Sequence, residues 1–255
     1  MPEDKDWRLQ GHVELRQKRL TEGEDGTTLT LVDSVTLTGD RTLAFAIPNA
    51  TAMLLNASRR SFQVAQALLA KDAPQHAPRG FVQFETNADA VDFAEHMTTA
   101  IIMAYTALES FANEWIPPWA TYCIEKPKDG GPTHYCKEDM ERRLHLSKKL
   151  HEVLPFVFDV ASPKGRAVWQ AYVELEKIRD RLIHLKEEDR RATNRNTDTI
   201  WKSLFRTAQT AAPHRTVKQM IDVFMCNAEH KPFLHFDGFQ PVRPSWHMEY
   251  PDEKA

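Results

Sequence analysis

Residues 87–116 read NADAVDFAEHMTTAIIMAYTALESFANEWI, and this stretch decides the fold. Its apolar residues recur at steps of three and four, which is the spacing of one face of an α-helix. The members of the series are Val91, Ala94, Met97, Ile101, Ala104, Leu108, Phe111, Ala112 and Trp115. Pro117 and Pro118 stop the pattern sharply because proline cannot continue a helix. The sequence therefore predicts a long helix over Asn87–Ile116.

Further stretches of the chain repeat this helical spacing. They are Ala50–Lys71, Lys137–Val153, Pro163–Glu188, Asp198–Ala211 and His214–Asn227. Short connections between helices favour antiparallel neighbours whose apolar faces form one core. The sequence therefore predicts a mainly α protein built as an antiparallel helical bundle.

The N-terminal part of the chain has the alternating pattern of β-strands. The pattern has a period of two over His12–Leu20, Thr28–Val32, Val35–Thr38 and Thr42–Phe45. Threonine and β-branched residues are enriched there, and the segments Glu24–Gly26 and Gly39–Asp40 are typical turn sequences. These features predict a small N-terminal antiparallel β appendage of two to four strands.

These patterns divide the chain into three regions. Residues 1–48 are predicted to form the β-rich appendage, and residues 49–230 the helical bundle. Residues 231–255 contain four prolines and no clear period, so we expect an extended tail lying on the body. Within the bundle, Trp119–Thr133 is predicted to be a loop, and Phe81–Phe84 a short extended piece.

The composition limits the classes of function. With 255 residues and 42% hydrophobic content, the chain can bury a substantial core. Its formal net charge of −3 argues against a protein that coats nucleic acid by bulk charge, so any nucleic-acid contact must be local. There is no apolar run long enough for a membrane helix, and the three cysteines fit a reducing compartment. We therefore expect a cytoplasmic protein that does not bind a membrane.

No metal or cofactor is predicted. The chain has only nine glycines and no glycine-rich phosphate loop, which excludes nucleotide hydrolysis through such a loop. The best metal set would combine Cys123, His134 and Cys136 in one loop, but their spacing matches no zinc pattern.

The segment Ile178–Lys186, IRDRLIHLK, contains the clearest functional signal. Arg179 falls near the centre of the apolar stripe of its predicted helix, where a charge needs a partner. Glu109 is the best internal candidate, because it lies at the edge of another strongly apolar helix. Asp180 and His184 are four residues apart and therefore neighbours on one helix face.

These residues resemble the HEPN superfamily (higher eukaryotes and prokaryotes nucleotide-binding). Its hallmark is Arg-x4–6-His in a helical bundle, commonly with Asn or Asp after the arginine, and this chain has Arg179, Asp180 and His184 at that spacing. The stretch Ala104–Trp115, AYTALESFANEW, is similar to the helix that precedes the motif in many such domains. The resemblance covers about Ala50–Asn227.

The resemblance implies a metal-independent endoribonuclease that acts as a homodimer, its two motifs facing each other across a cleft. His184 would move protons at the ribose 2′-hydroxyl or the leaving 5′-oxygen, while Arg179 would stabilise charge on the scissile phosphate. Asp180 would orient His184, and Glu109, beside Asn113, would hold Arg179. The expected partners are RNA, a second copy and, in a toxin or defence effector, an antitoxin or regulatory protein.

Two features of the motif region leave alternatives open. Some toxin members have a tyrosine two residues after the histidine, where this chain has Lys186, so regulation by that tyrosine is not supported. From Lys177 to Arg195 there are seven Lys or Arg residues against four Asp or Glu residues. Arg181 and Lys186 are therefore predicted to contact RNA, although a solvated helix end explains such cations as well.

Other readings of the chain are a non-catalytic HEPN-like module that binds RNA, nucleotide or protein, and a helical scaffold assembled through the β appendage. Arg179 and Asp180 would then make only ion pairs within their helix. A second cationic group, Arg142, Arg143, Lys148 and Lys149, is typical of a solvated face. Aromatic residues such as Trp201 and Phe205 are expected to belong to the core.

Overall fold

The computed structural model describes Arg8 and residues 32–39, 41–71, 84–124, 132–190 and 197–225. The chain divides into two compact units. One is the helical unit Ala50–Lys231, and the other comprises Met1–Asn49 and Pro232–Ala255. The predicted tail 231–255 and the predicted strand His12–Leu20 lie outside the described residues.

The N-terminal unit contains a two-stranded antiparallel sheet, as predicted. Strand β1 (Val32–Thr36) pairs with β2 (Thr42–Ala46). Gly39 has a φ of 79°, a left-handed conformation that glycine adopts without steric cost, so the chain can reverse between the strands. The sequence assigned Val32 to one strand, Thr28–Val32, and Val35 to the next, Val35–Thr38; this division was wrong, because Val32 and Val35 belong to one strand in continuous register with β2. Residues 28–31 lie outside the described residues.

The helical unit is mainly α. In chain order its elements are α1 (Ala50–Leu69), α2 (Asn87–Trp115), β3 (Tyr122–Ile124), β4 (Thr133–Tyr135), α3 (Lys137–Arg143), α4 (Leu146–Lys148), α5 (Leu154–Phe158), α6 (Ala167–Ile183), α7 (Ile200–Thr210) and α8 (Pro213–Phe224). None of the helices in the described ranges is long and apolar enough to cross a membrane. The predicted helical bundle is confirmed.

Helix α2 is the centre of this bundle, and it packs against α1, α6, α7 and α8. It begins in a capping box, in which Thr86 Oγ1 accepts a hydrogen bond from the Asp89 N–H at 3.1 Å and Asp89 Oδ2 accepts one from the Thr86 N–H at 3.2 Å. Its completely buried side chains include Phe93, Met97, Ile101, Leu108 and Phe111. The predicted range Asn87–Ile116 is therefore correct to within one residue.

The predicted helix Lys137–Val153 is broken in the structure. The backbone at Leu144 is extended, with a ψ of 131°, and separates α3 from α4. Leu144 and Leu146 are both buried, whereas an unbroken helix would turn residues two apart to different faces. After α4 the chain forms a π-helical turn, Lys149–Val153, and continues directly into α5.

Helix α6 is shorter at both ends than the predicted Pro163–Glu188. A turn precedes it, in which Gly165 has a φ of 87°. The helix ends at Ile183, and the following residue, His184, has a φ of −117° and a ψ of 66°, outside the helical region. Past that point the backbone bonds into a separate 3-10 turn, Glu187–Arg190.

The predicted loop Trp119–Thr133 contains a strand that the sequence did not reveal. Strand β3 pairs antiparallel with β4, with Tyr122 opposite Tyr135 and Cys123 opposite His134. Each strand has only three residues, which is too short for an alternating pattern to be recognised. Of the predicted extended piece Phe81–Phe84, only Phe84 is described, and it belongs to no strand.

A buried carboxylate joins the end of α6 to the start of α7. The side chain of Asp189 is completely buried and accepts two hydrogen bonds from the Arg181 guanidinium, at 2.9 and 3.1 Å. It also accepts backbone N–H groups from Lys186 at 3.1 Å and Ile200 at 2.7 Å. Burial alone would raise the pKa of Asp189, but these hydrogen bonds outweigh it and lower the pKa below its ordinary value.

Replacing this carboxylate should weaken the bundle. We expect Asp189→Ala to lower the free energy of unfolding by about 3 kcal/mol, because it leaves the Arg181 charge and the backbone donors without their acceptor. Asp198→Ala is the control, since its exposed carboxylate pairs with Arg206 on the surface and should contribute less than about 1 kcal/mol. Urea denaturation measures both; equal losses would contradict the role of Asp189.

The same carboxylate should make stability depend on pH. Because the pKa of Asp189 is lowered in the folded protein, its contribution is complete above the ordinary carboxyl pKa and is lost as the pH falls through the lowered value. The difference in unfolding free energy between the wild type and Asp189→Asn should therefore shrink on acidification. Urea denaturation at a series of pH values tests this, and a constant difference would count against it.

Candidate functional site

Arg179 lies on α6 and continues the side of the helix that buries Tyr172 and Leu175. Its side chain is 30% exposed, and its guanidinium carbon lies 4.6 Å from the centre of the Tyr105 ring on α2. Nη1 donates a hydrogen bond of 2.8 Å to Asp180 Oδ1. A partly buried guanidinium is thus stabilised by an aromatic face and by a carboxylate.

The surroundings of Arg179 keep it charged. Partial burial lowers the pKa of Arg179, but the hydrogen bond with Asp180 and the nearby carboxylate of Glu109 outweigh that effect and raise it. The guanidinium has five N–H donors, of which the bond to Asp180 uses one. Within the part of the chain that the structure describes, the other donors have no hydrogen-bond partner and can bind an anion.

A partly buried carboxylate, Glu176, accepts hydrogen bonds from two tyrosines about one helical turn before Arg179. Glu176 Oε1 accepts hydrogen bonds from the hydroxyls of Tyr172, at 2.6 Å, and Tyr105, at 3.1 Å. Burial and the adjacent Glu176 charge raise the pKa of both tyrosines, so they stay protonated and remain donors. The network fixes the Tyr105 ring on which Arg179 lies.

Asp180 is placed differently from the prediction. Its carboxylate binds Arg179, the preceding residue, whereas we expected it to orient His184. The link from Asp180 to His184 is through the backbone, because the His184 N–H donates to the Asp180 carbonyl at 2.9 Å. A guanidinium on the adjacent residue is a stronger partner for a carboxylate than a neutral imidazole four residues away.

His184 directly follows the last residue of α6, and it is exposed. Across the described ranges, no hydrogen bond or ion pair holds its imidazole. The imidazole is therefore accessible to a bound molecule. Because α6 ends at Ile183, the turn of about 100° per residue in an ideal helix does not determine where the His184 imidazole points relative to Arg179.

Glu109 and Asn113 lie on α2, one and two turns after Tyr105. The Glu109 carboxylate is near enough to raise the pKa of Arg179, yet the direct hydrogen bond of Arg179 goes to Asp180. Asn113 Oδ1 accepts a hydrogen bond of 2.7 Å from Lys149 Nζ. The structure thus brings Glu109 to Arg179 as a neighbouring charge, and it links Asn113 to a lysine that the sequence did not select.

Lys149 differs most from its predicted environment. The sequence grouped it with the solvated cations, whereas the structure buries it. Its side chain is 0% exposed and Nζ donates to Asn113 and to the Glu141 carbonyl, the latter at 3.0 Å. Burial lowers its pKa, against the opposing attraction of Glu109 and Glu141. One signal was present in the sequence: Leu146 and Val153 flank Lys149 at helical spacing, which indicates an apolar face.

The two residues predicted to bind RNA differ in availability. The Arg181 guanidinium is 19% exposed and is occupied by Asp189 and by the Asp198 carbonyl, at 2.7 Å. A phosphate would have to compete there with a buried carboxylate. Lys186 is exposed, and its backbone N–H is what contacts Asp189. Lys186 is thus the more accessible of the two cations.

An open, largely apolar groove of about 770 Å³ lies between α2 and α7. Its lining residues are Ala90, Val91, Ala94, Glu95, Thr98, Thr99, Trp201, Leu204 and Phe205. Trp201, which we expected in the core, is 42% exposed, and its indole N–H donates to the Asp189 carbonyl at 2.7 Å. The groove is therefore bordered by an aromatic side chain in a fixed orientation.

Cys123, His134 and Cys136 lie on or next to the β3–β4 hairpin. Cys123 and Cys136 are exposed, and Cys136 Sγ donates to Asp139 Oδ2 at 3.4 Å. Over the ranges that the structure describes, no group of three or more His, Cys, Asp or Glu side chains is arranged to hold a metal ion.

Taken together, Arg179 and His184 lie five residues apart at the solvent-accessible end of α6. A guanidinium with unused donors can bind and stabilise a phosphate, and an exposed imidazole can accept and return a proton. Phosphodiester cleavage through an internal hydroxyl can use a cation and a proton-transfer group of these kinds. Comparison of the chain with protein-family models, curated proteins and solved structures finds no match.

The hydrogen bonds from Tyr105 and Tyr172 to Glu176 should contribute to the free energy of unfolding. Tyr172→Phe removes a buried donor to Glu176, so we expect the free energy of unfolding to fall by about 1.5–3 kcal/mol, the range for a hydrogen bond to a charged group. Tyr135→Phe, on half-buried β4, is the control and should change it by less than about 0.5 kcal/mol. Urea denaturation distinguishes the two, and an unaffected Tyr172→Phe protein would refute the network's contribution.

Proposed function

We propose that the chain is a metal-independent, HEPN-like endoribonuclease that acts as a homodimer, with Arg179 and His184 at its active site. The observation that carries the proposal is the position of these two side chains. Both reach solvent near the C-terminal end of one helix in a mainly helical bundle, and among the described residues Asp180 is the one hydrogen-bond partner of the Arg179 guanidinium. The resemblance of the Arg-x4-His motif to that superfamily supplies the substrate class, RNA.

The chemistry follows from the two groups. Neutral His184 accepts the proton of a ribose 2′-hydroxyl, and the resulting oxyanion attacks the adjacent phosphorus. Arg179 donates hydrogen bonds to the phosphate oxygens, on which negative charge increases as the new bond forms. The bond from phosphorus to the 5′-oxygen breaks, and a protonated His184, from the same subunit or from the second copy, returns a proton to that oxygen. The products are a 2′,3′-cyclic phosphate and a 5′-hydroxyl.

A second copy would bring two such helix ends together, and the proposed dimer therefore contains two arginines and two histidines in one cleft. Lys186 is exposed beside the motif and would contact the RNA backbone. Arg181 would contribute less, because Asp189 already binds it. In a toxin or defence effector of this kind, an antitoxin or regulatory protein would cover the same cleft.

One observation favours the second candidate, a non-catalytic module that binds RNA, nucleotide or protein. The charge of Arg179 is compensated within the chain by Asp180 and by the Tyr105 ring, as in a structural ion pair. In this case Arg179 and His184 would affect binding without any bond being cleaved. Product analysis separates the two candidates.

The test is incubation of the purified protein with single-stranded RNA in the presence of EDTA. We expect cleavage with 2′,3′-cyclic phosphate and 5′-hydroxyl ends, and a fall in rate of about 100-fold or more in Arg179→Ala and in His184→Ala. Arg142→Ala and His145→Ala are matched controls, because both residues are exposed on the same unit and neither belongs to the motif. These controls should keep the wild-type rate.

Two outcomes would reject the nuclease. One is equal cleavage by the wild type and both motif variants, which would identify a contaminating enzyme. The other is binding of RNA by the wild type without any cleaved product, which would favour the non-catalytic module. Thermal unfolding of each variant confirms that a lost rate does not reflect a lost fold.

A further inference from the structure

The buried lysine Lys149 has a geometric relation to the motif that the proposed mechanism does not use. Tyr105, Glu109 and Asn113 follow one another at four-residue steps along α2, so their side chains form a ladder on one edge of the helix. Arg179 lies on the first step, over the Tyr105 ring. Lys149 binds the third step, Asn113. Glu109 therefore lies between two cations, one partly exposed and one buried.

Hydrogen bonds and burial fix the position of the Lys149 side chain. Its Nζ makes two hydrogen bonds, to Asn113 Oδ1 and to the Glu141 carbonyl, and its side chain has no exposed surface. It is the first residue of the π-helical turn, a local departure from α geometry that often occurs at functional sites. A completely buried lysine is rare because an ammonium loses its hydration, so compensating partners are needed.

The carboxylate of Glu109 compensates part of the buried charge of Lys149. Glu109 and Glu141 are the carboxylates whose attraction opposes the effect of burial on the lysine, and Glu109 also attracts Arg179. The carboxylate of Glu109 thus attracts both Lys149 and Arg179. Without the lysine, the whole charge of Glu109 would act on Arg179, which already binds Asp180.

We infer that Lys149 is a positioning residue that acts through Glu109 to keep the Arg179 guanidinium available for an anion. Lys149 neutralises Glu109 from the buried side, so that Glu109 does not draw Arg179 out of its place over Tyr105. The inference rests on the proposed function for the identity of the anion, an RNA phosphate. Its central claim, an electrostatic link from Lys149 to Arg179, can be measured without RNA.

The experiment uses four full-length proteins: the wild type, Lys149→Met, Glu109→Gln and the double variant. Lys148→Met is the matched control, because it removes the same charge from the neighbouring residue, whose side chain is 39% exposed. Two quantities are measured for each protein. The first is the NMR resonance of the Arg179 side-chain Nε–Hε, and the second is the Kd for a 2′-O-methyl RNA that cannot be cleaved.

We expect Lys149→Met to shift the Arg179 resonance and to raise the Kd about tenfold, the order for one unbalanced, partly screened charge near a phosphate. Glu109→Gln should lower the Kd. Adding Glu109→Gln to Lys149→Met should return both the resonance and the Kd towards the wild-type values. Lys148→Met should change neither quantity.

A merely structural lysine gives a different pattern. If Lys149→Met raises the Kd equally with and without Glu109→Gln, or if Lys148→Met has the same effect, the positioning role is rejected. If Lys149→Met does not unfold cooperatively, the inference is tested with Glu109→Gln alone. This variant removes the charge through which Lys149 is proposed to act, at a half-buried position. An unchanged resonance and Kd in that variant would overturn the inference.

The outcomes also separate this inference from the proposed function. A wild type that neither binds nor cleaves RNA, while the Arg179 resonance follows the expected order, would remove RNA but keep the link from Lys149 to Arg179. Cleavage that depends on Arg179 but is indifferent to Lys149 and Glu109 would keep the nuclease and reject the link.

Discussion

The packing of α2 against four other helices is the constraint on which the rest of the helical unit depends. An apolar face this wide must be covered, so α1, α6, α7 and α8 surround it. At the edge of that face, Tyr105, Glu109 and Asn113 are carried inward with their apolar neighbours and need polar partners. Glu176, Arg179 and Lys149 are those partners, and the position of the motif is thus a consequence of how α2 is buried.

A second, smaller constraint fixes the end of α6. Asp189 accepts hydrogen bonds from Arg181 before the turn and from Ile200 after it, so one carboxylate connects the end of α6 to the start of α7. Arg181 therefore stabilises the fold through Asp189. Arg179, two residues earlier, points towards Tyr105 on α2 and is partly accessible. The two arginines contact different parts of the protein because a helix turns by about 100° per residue, which places residues two apart on different faces.

The sequence predicts those parts of the fold that depend on long periodic patterns. The range of α2, the helical bundle and the N-terminal sheet follow from the spacing of apolar residues. What it could not predict depends on breaks in that spacing: the extended residue Leu144 shifts the phase of the following helix, which puts Lys149 inside. Likewise, the expected pair Asp180 and His184 assumed a continuous helix, but α6 ends at Ile183 and the nearest cation, Arg179, takes the carboxylate.

The π-helical turn Lys149–Val153 has a consequence for the way this chain tolerates insertions and deletions. Such a turn accommodates one residue more than an α-helical turn does. Deleting one residue there would remove the extra residue and restore regular α-helix, so the helical residues before and after the turn would stay nearly in phase. In a regular helix such as α2, which has no extra residue to lose, the same deletion would rotate all that follows by about 100°. A one-residue deletion is therefore absorbed locally in Lys149–Val153, whereas along α2 it would displace half of the buried face.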